Sequence, residues 1–317
     1  MKSAHQMTDP DDEGESFVIQ TLTKNRCSPD WVTTGPGDDA AILNDGLVIT
    51  VDAMVEGVHF DQSSEPEEIG RKLVAVNVSD IAACGATPVW SVLTICAPDP
   101  IDREWISRFS DGLNEALCEH NLALVGGDTT RSNGGISLSL TVGGQLTGTP
   151  LLRTGASPGE TIWVSGNLGD ASGGFNLPGA TPALTRAHRD PSPPTALGPR
   201  LVGIASAAMD LSDGLSRDIH RLCKASECGA QIYPELLPIS EDLETLAGSD
   251  RLKHQLGFGE DYGLLFVTPK GAEEEVRKIS TELNIKLTPI GHTTVSSEVV
   301  LVGSKWPMTW HHFGEEA

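Results

Sequence analysis

Aromatic residues are scarce in this 317-residue chain, at 5%, and no apolar run approaches the ~20 residues that a bilayer-spanning helix requires. No membrane role is therefore expected. The opening stretch, which reaches Asp9-Pro10-Asp11-Asp12-Glu13, lacks both the basic start and the apolar run of an export signal, so a cytoplasmic location is expected. Cationic residues are also few: 22 Lys and Arg face 44 Asp and Glu, giving a net charge of −22. With no basic patch, the chain would repel a phosphate backbone, which excludes nucleic acid as a partner. There is no C-x-x-C pair and no zinc-like histidine cluster, so Cys27, Cys84, Cys96, Cys118, Cys223 and Cys228 read as reduced, mostly buried thiols. The G-x-x-x-x-G-K-[ST] phosphate loop is missing too. His188-Arg189-Asp190 has the letters of a protein-kinase catalytic loop, but Thr195 stands where that loop needs Asn, and the surroundings are rich in proline.

What is present is enough chain for two domains and 34 glycines, many of them next to acids. Residues 1–13 read as an acidic disordered tail; Asp9, Asp11, Glu13 and Gly14 fit the start of an EF-hand loop, but Gln20 fills its twelfth place. Spacing predicts helices over Glu15–Asn25, Glu65–Cys84 and Asp102–His120. It predicts strands over Gly46–Val55, Thr87–Ala97, Ala123–Val125 and Ile136–Val142. Strands and helices without strict alternation predict an α+β domain over 14–148. A second domain, 149–317, is expected after Gly148-Thr149-Pro150. It should hold strands at Thr161–Ser165, Ala207–Leu211 and Gly263–Thr268, helices at Gly214–Ala225 and Glu273–Leu283, and a Pro-rich connection from Leu177 to Pro199 with a short helix around Ala183–His188.

Six short segments carry candidate chemistry. Gly37-Asp38-Asp39-Ala40-Ala41 sets two carboxylates side by side, an arrangement that favours a shared cation because like charges raise each other's pKa. Asp52, in Thr50-Val51-Asp52, interrupts an apolar strand, where a carboxylate is seldom buried without a partner. His59 follows on a loop. Asp80 sits in the small, apolar helix segment Val76–Gly85, whose sequence offers it no cation. Val125-Gly126-Gly127-Asp128-Thr129-Thr130-Arg131 joins glycines that admit phosphate to an acid that could hold metal. Asp210-Leu211-Ser212-Asp213-Gly214 ends a strand and opens a helix, whose free amides suit phosphate. Gly257-Phe258-Gly259-Glu260-Asp261-Tyr262 repeats glycines then acids.

In this order the six segments resemble the thiamine-monophosphate kinase family, within a superfamily that includes aminoimidazole ribonucleotide synthetase, selenophosphate synthetase and a hydrogenase-maturation dehydratase. The resemblance runs from about Glu15 to Phe313. It implies an N-terminal α+β domain that pairs with its twin in a homodimer, a C-terminal α/β-type domain, and an active site between them. It implies phosphorylation of thiamine monophosphate by ATP with several Mg2+ ions. Carried onto this sequence, Asp39, Thr50, Asp52, Asp80, Asp128, Asp210 and Asp213 would bind metal, with Asp52, Asp80 and Asp210 central to catalysis. Gly127, Asp128, Arg153 and Ser212 would contact ATP, and His59, Glu260 and Trp310 would contact thiamine monophosphate. Two positions depart from the family pattern: Val51 stands where Thr is frequent, and Gly263 where another acid is frequent. A selenophosphate synthetase-like activity would need a reactive Cys and Lys in a Gly-rich loop, whereas Cys27 is followed by Ser28-Pro29-Asp30. A non-catalytic cation-binding protein is the other alternative. The family's chemistry is physically coherent, because a phosphate monoester with a second pKa near ~6 is already ionised at neutral pH and needs no general base.

Overall fold

The computed structural model describes residues 13–307. The acidic tail assigned to 1–13 and Trp310 therefore lie outside the described residues, apart from Glu13, which opens helix α1 (Glu13–Thr23). Two six-stranded sheets follow. The first is built from β1 (Val32–Thr34), β2 (Ala41–Leu43), β3 (Leu47–Val55), β4 (Thr87–Ala97), β5 (Ala123–Arg131) and β6 (Ser137–Gln145), in the order β1-β2-β3-β6-β4-β5. All its neighbours are antiparallel except β4 and β5. Helices α2 (Pro66–Ala83) and α3 (Arg103–Glu119) cover one face.

β3 shows why its residues divide as they do. Val48, Thr50 and Met54 turn inward toward the core, with Asp52 half-buried on the same side, while Val51 and Val55 point outward and stay exposed. The apolar stripe of α2, Ile69, Leu73, Val78 and Ile81, packs with Val48, Leu138, Leu140 and Val142. Two turns of α2 beyond Leu73 the helix keeps going into the second half of the molecule, where Ala82 and Ala83 join Trp163, Phe266 and Leu197.

The second sheet runs β12-β9-β11-β7-β10-β8, from β7 (Thr161–Ser165), β8 (Ala207–Asp210), β9 (Gly229–Ile232), β10 (Leu264–Thr268), β11 (Leu287–Thr294) and β12 (Val299–Leu301). It is antiparallel except for the β9–β12 pair. Both faces are buried. Helices α6 (Leu197–Leu201) and α10 (Glu273–Leu283) lie on one side, and α7 (Leu215–Ala225) with α9 (Arg251–Gly257) on the other. Helices α4 (Asp170–Asn176), α5 (Pro182–Arg189) and α8 (Glu241–Ala247) form a small satellite around Leu184 and Leu243. The Pro-rich connection thus holds α5 close to where a short helix was expected. No helix among the described residues is long and apolar enough to cross a membrane.

The crossing of α2 over α3 depends on two glycines. A Cβ on Gly70 would overlap the Phe109 carbonyl, and one on Gly112 would overlap the Glu67 carbonyl. Gly112→Ala should therefore lower stability by about 1–3 kcal/mol through overpacking, opposite in sign to the ~1 kcal/mol gain that helix propensity alone would give. A urea-denaturation midpoint at or above wild type would refute this close crossing.

Candidate active site

A cleft of about 370 Å³ opens between the two halves. Each side chain in it arrives from an element whose local sequence explains its position. Gly37, at φ +119°, turns the chain between β1 and β2 and presents Asp39. The inward face of β3 supplies Thr50 and Asp52, and one face of α2 supplies Lys72, Val76 and Asp80. β8 ends at Asp210, and Ser212 and Asp213 lead through Gly214, at φ +96°, into α7.

Asp39, Asp80 and Asp210, far apart in sequence, each offer a carboxylate oxygen within 4.8 Å of the others. Thr50 Oγ1 donates to Asp80 Oδ2 at 2.6 Å, and Ser79 Oγ donates to Asp210 Oδ2 at 2.9 Å. Arg153 grips Asp39 Oδ1 through Nη2 at 2.6 Å and Nε at 3.1 Å, and its backbone N–H donates to Asp38 Oδ2 at 3.2 Å. Asp52 is oriented from below, its backbone N–H donating to Asn77 Oδ1 at 3.0 Å. Arg221 pairs with Asp213 and also approaches Glu15 of α1, at 3.5 Å.

Burial and mutual repulsion govern the ionisation. Burial, then the charge of Asp39, pushes Asp210 up to about 8. Burial and the charges of Asp52, Asp210 and Asp39 push Asp80 well up, against the Thr50 hydrogen bond. Asp52 rises to about 6 from burial and from Asp213, and Asp38 to about 6 from burial and from Asp39. Asp39 is also raised by burial despite its arginine, and its Oδ2 is buried without a hydrogen-bond partner. A hard, oxygen-seeking divalent cation answers both the repulsion and the orphaned oxygen, so the donor set fits one.

The other expected residues divide clearly. His59 lines the cleft; its Nδ1 accepts the Val55 N–H at 3.1 Å, which leaves the ring proton on Nε2. Glu260 sits at a left-handed φ of +67°, 2.9 Å from Lys72 Nζ and 2.7 Å from His188 Nδ1. Burial acts to raise Glu260, but Lys72 and His188 outweigh it and hold the group at about 2. Ser212 and Arg153 are in the lining. Gly127 and Asp128 are not: they lie on exposed β5, three strands from β3, or about 14 Å at ~4.8 Å per strand. Gly127 has a packing reason of its own, since a Cβ there would overlap the Leu93 carbonyl on β4.

Lys72, Arg221 and Phe175 also line the cleft and were not singled out from the sequence; His188 lines it too, although the kinase-loop reading of its tripeptide is set aside. Lys72 had a readable signal, being a lysine eight residues before Asp80 on the same helical face. The rest depend on tertiary folding.

Fold and site together define an enzyme class built from two matched halves. Residues 37–146 match the family model described as AIR synthase related protein, N-terminal domain, and residues 157–304 match the corresponding C-terminal domain. Within that class the chain belongs to the thiamine-monophosphate kinase family. It is 37% identical over 298 residues to the thiamine-monophosphate kinase of Escherichia coli strain K12, covering 89% of this chain and 91% of that one. It is 34% identical to the enzyme of Rhodopirellula baltica over 87% of this chain and 88% of that one. A solved thiamine-monophosphate kinase from Stenotrophomonas maltophilia K279a superposes with a TM-score of 0.77 at 36% identity, covering 91% of this chain and 95% of that one. A structure described as AaThiL complexed with AMPPCP and TMP superposes with a TM-score of 0.82 at 29% identity, covering 98% and 100%.

The raised carboxyls set the direction of a pH effect. Asp210 ionises near pH 8 when folded and near ~4 when unfolded. Its stabilising contribution is present below about pH 4 and is lost as the pH rises through about 8. Glu260 works in the opposite sense, but only as the pH falls from about 4.5 toward 2. Chelator-treated protein should therefore melt lower at pH 8.5 than at pH 5.5. Asp210→Asn should raise the pH 8.5 melting temperature by several degrees and flatten the slope, and added Mg2+ should help the wild type more at pH 8.5. A melting temperature that rises with pH in both proteins would contradict the repulsive cluster.

Proposed function

We propose that the protein transfers the γ-phosphoryl group of ATP to thiamine monophosphate, yielding thiamine diphosphate and ADP. The carrying observation is the convergence of Asp39, Asp80 and Asp210 from three separate elements in one cleft. The family membership supplies the substrates, since a relative's structure is described with the ATP analogue AMPPCP and with TMP.

In this reading Asp39, Asp80 and Asp210 hold magnesium, with Thr50, Asp52 and Asp213 flanking them. A metal held by these carboxylates would supply the positive charge that offsets the repulsion between the two anionic phosphates. Ser212, just before α7, faces the nucleotide phosphates, and Arg153 adds a fork that matches a phosphate. His59 and Glu260 contact the acceptor. The acceptor phosphate is itself the nucleophile and is already ionised, so transfer is direct and no phosphoenzyme forms. A cytosolic setting suits this chemistry and the six free cysteines.

We further propose that the working form is a homodimer joined through the uncovered face of the first sheet. Val51 and Val55 point outward there, Val89 of β4 is exposed, and all nine residues of edge strand β5, Val125 among them, are exposed. Gly127 and Asp128, outside the cleft of their own chain, would then be available to complete the cleft of a second copy as ATP and metal contacts.

Product analysis with ATP, Mg2+ and thiamine monophosphate should show thiamine diphosphate, and Asp52→Asn should reduce its rate roughly 100-fold or more without lowering the melting temperature. Wild-type turnover in that variant would remove Asp52 from the metal set, and absence of product from the wild type would end the kinase reading. Light scattering should report a dimer that Val125→Lys converts to monomer; a dimeric Val125→Lys variant would rule out this face.

A further inference from the structure

Lys72, Val76 and Asp80 form the i, i+4, i+8 row of α2, and all three line the cleft. Eight residues at 1.5 Å each separate its two ends by about 12 Å. Acids crowd the Asp80 end. At the Lys72 end, Glu260 is already shared between Lys72 and His188. An ion pair closed on itself offers little net charge to a phosphate, so this end suits a different part of a ligand.

Rings stand there. Phe175, at the end of α4, meets His188 with centroids 5.0 Å apart and stacks on Phe258 at 5.6 Å with the planes 26° apart. Phe175 is 60% exposed yet lines the cleft, so it adds little to the core while its position is fixed by two ring contacts. It therefore keeps an open aromatic face toward the ligand space. Transfer chemistry holds the acceptor's phosphate at the acidic end, and the rest of an acceptor longer than a phosphate extends toward the rings.

We propose that Phe175, backed by Phe258 and His188, is the platform on which the heteroaromatic part of the acceptor stacks, making Phe175 a specificity-determining residue. This rests on thiamine monophosphate being the acceptor. A planar heteroaromatic ring prefers an offset or tilted aromatic partner over an aliphatic one.

Steady-state kinetics on Phe175→Ala, Phe175→Leu and Phe175→Tyr test the platform. The Ala and Leu variants should raise KM for thiamine monophosphate roughly tenfold, with kcat and KM for ATP within about twofold of wild type; Tyr should restore the wild-type KM. An unchanged acceptor KM in Phe175→Ala, or an equal rise in KM for ATP, overturns the proposal. Wild-type protein that makes no thiamine diphosphate would instead refute the functional reading. Calorimetric binding of thiamine monophosphate then still reads the platform: a Kd weakened roughly tenfold by Phe175→Ala supports it, and equal Kd values overturn it.

Discussion

Repulsion among buried carboxylates is the constraint around which this molecule is organised. Three acids within a few ångströms of one another, Asp210 buried and Asp39 and Asp80 half-buried, oppose folding unless something balances them. Part of the balance is internal. Arg153 forks onto Asp39, Thr50 donates to Asp80, and Ser79 donates to Asp210. What remains would suit a cation, since Asp39 Oδ2 is buried without a hydrogen-bond partner. Two of these contacts, Ser79 to Asp210 and Arg153 to Asp39, also join the halves of the chain. The charge cluster therefore sits where the halves meet, and the geometry of the cleft is tied to how its charge is balanced.

Helix α2 makes that possible. Its buried stripe anchors it to the first sheet, its last turn enters the core of the second half, and the remaining face carries Lys72, Val76 and Asp80 into the cleft. The helix consequently serves as a ruler between an acidic pole and a pole of rings and paired charge. The low pKa of Glu260 and the raised pKa of Asp80, on either side of the same helix face, show how sharply the electrostatic environment changes along it.

Much of this was legible in the sequence because period and punctuation are local. Strands β4 and β7 and helix α10 fall on their expected bounds, and α2 and α3 within a residue or so. β9, β11 and β12 were not foreseen, since short strands with Gly and polar residues, such as Gly229–Ile232, carry no strong alternation. Among the site residues, the acids stood out as charges in apolar runs, a signal that survives without knowing the fold. Arg221, His188 and Phe175 carry no such mark: each looks like an ordinary helix residue until α7, α5 and α4 are packed around the cleft. Asp128 shows the converse. Its Gly-Gly-Asp setting is suggestive, yet the order of strands puts it on an exposed edge, which no local pattern encodes.

Val51 and Gly263, the two positions where the resemblance is weakest, can be understood from the same geometry. Strand alternation sends the Val51 side chain to the exposed face while Thr50 and Asp52 face inward, so only the Val51 backbone can serve the cleft, whatever its side chain. Gly263 precedes β10 where a Cβ would press on the Ser165 carbonyl, and the Ser165 hydroxyl accepts the Leu264 N–H at 2.8 Å. A larger acid there would have to displace this local hydrogen bond, and nothing in the Asp39, Asp80 and Asp210 cluster depends on position 263. Neither position therefore places a side chain among the three converging carboxylates, and the cleft's acidic end is built without them.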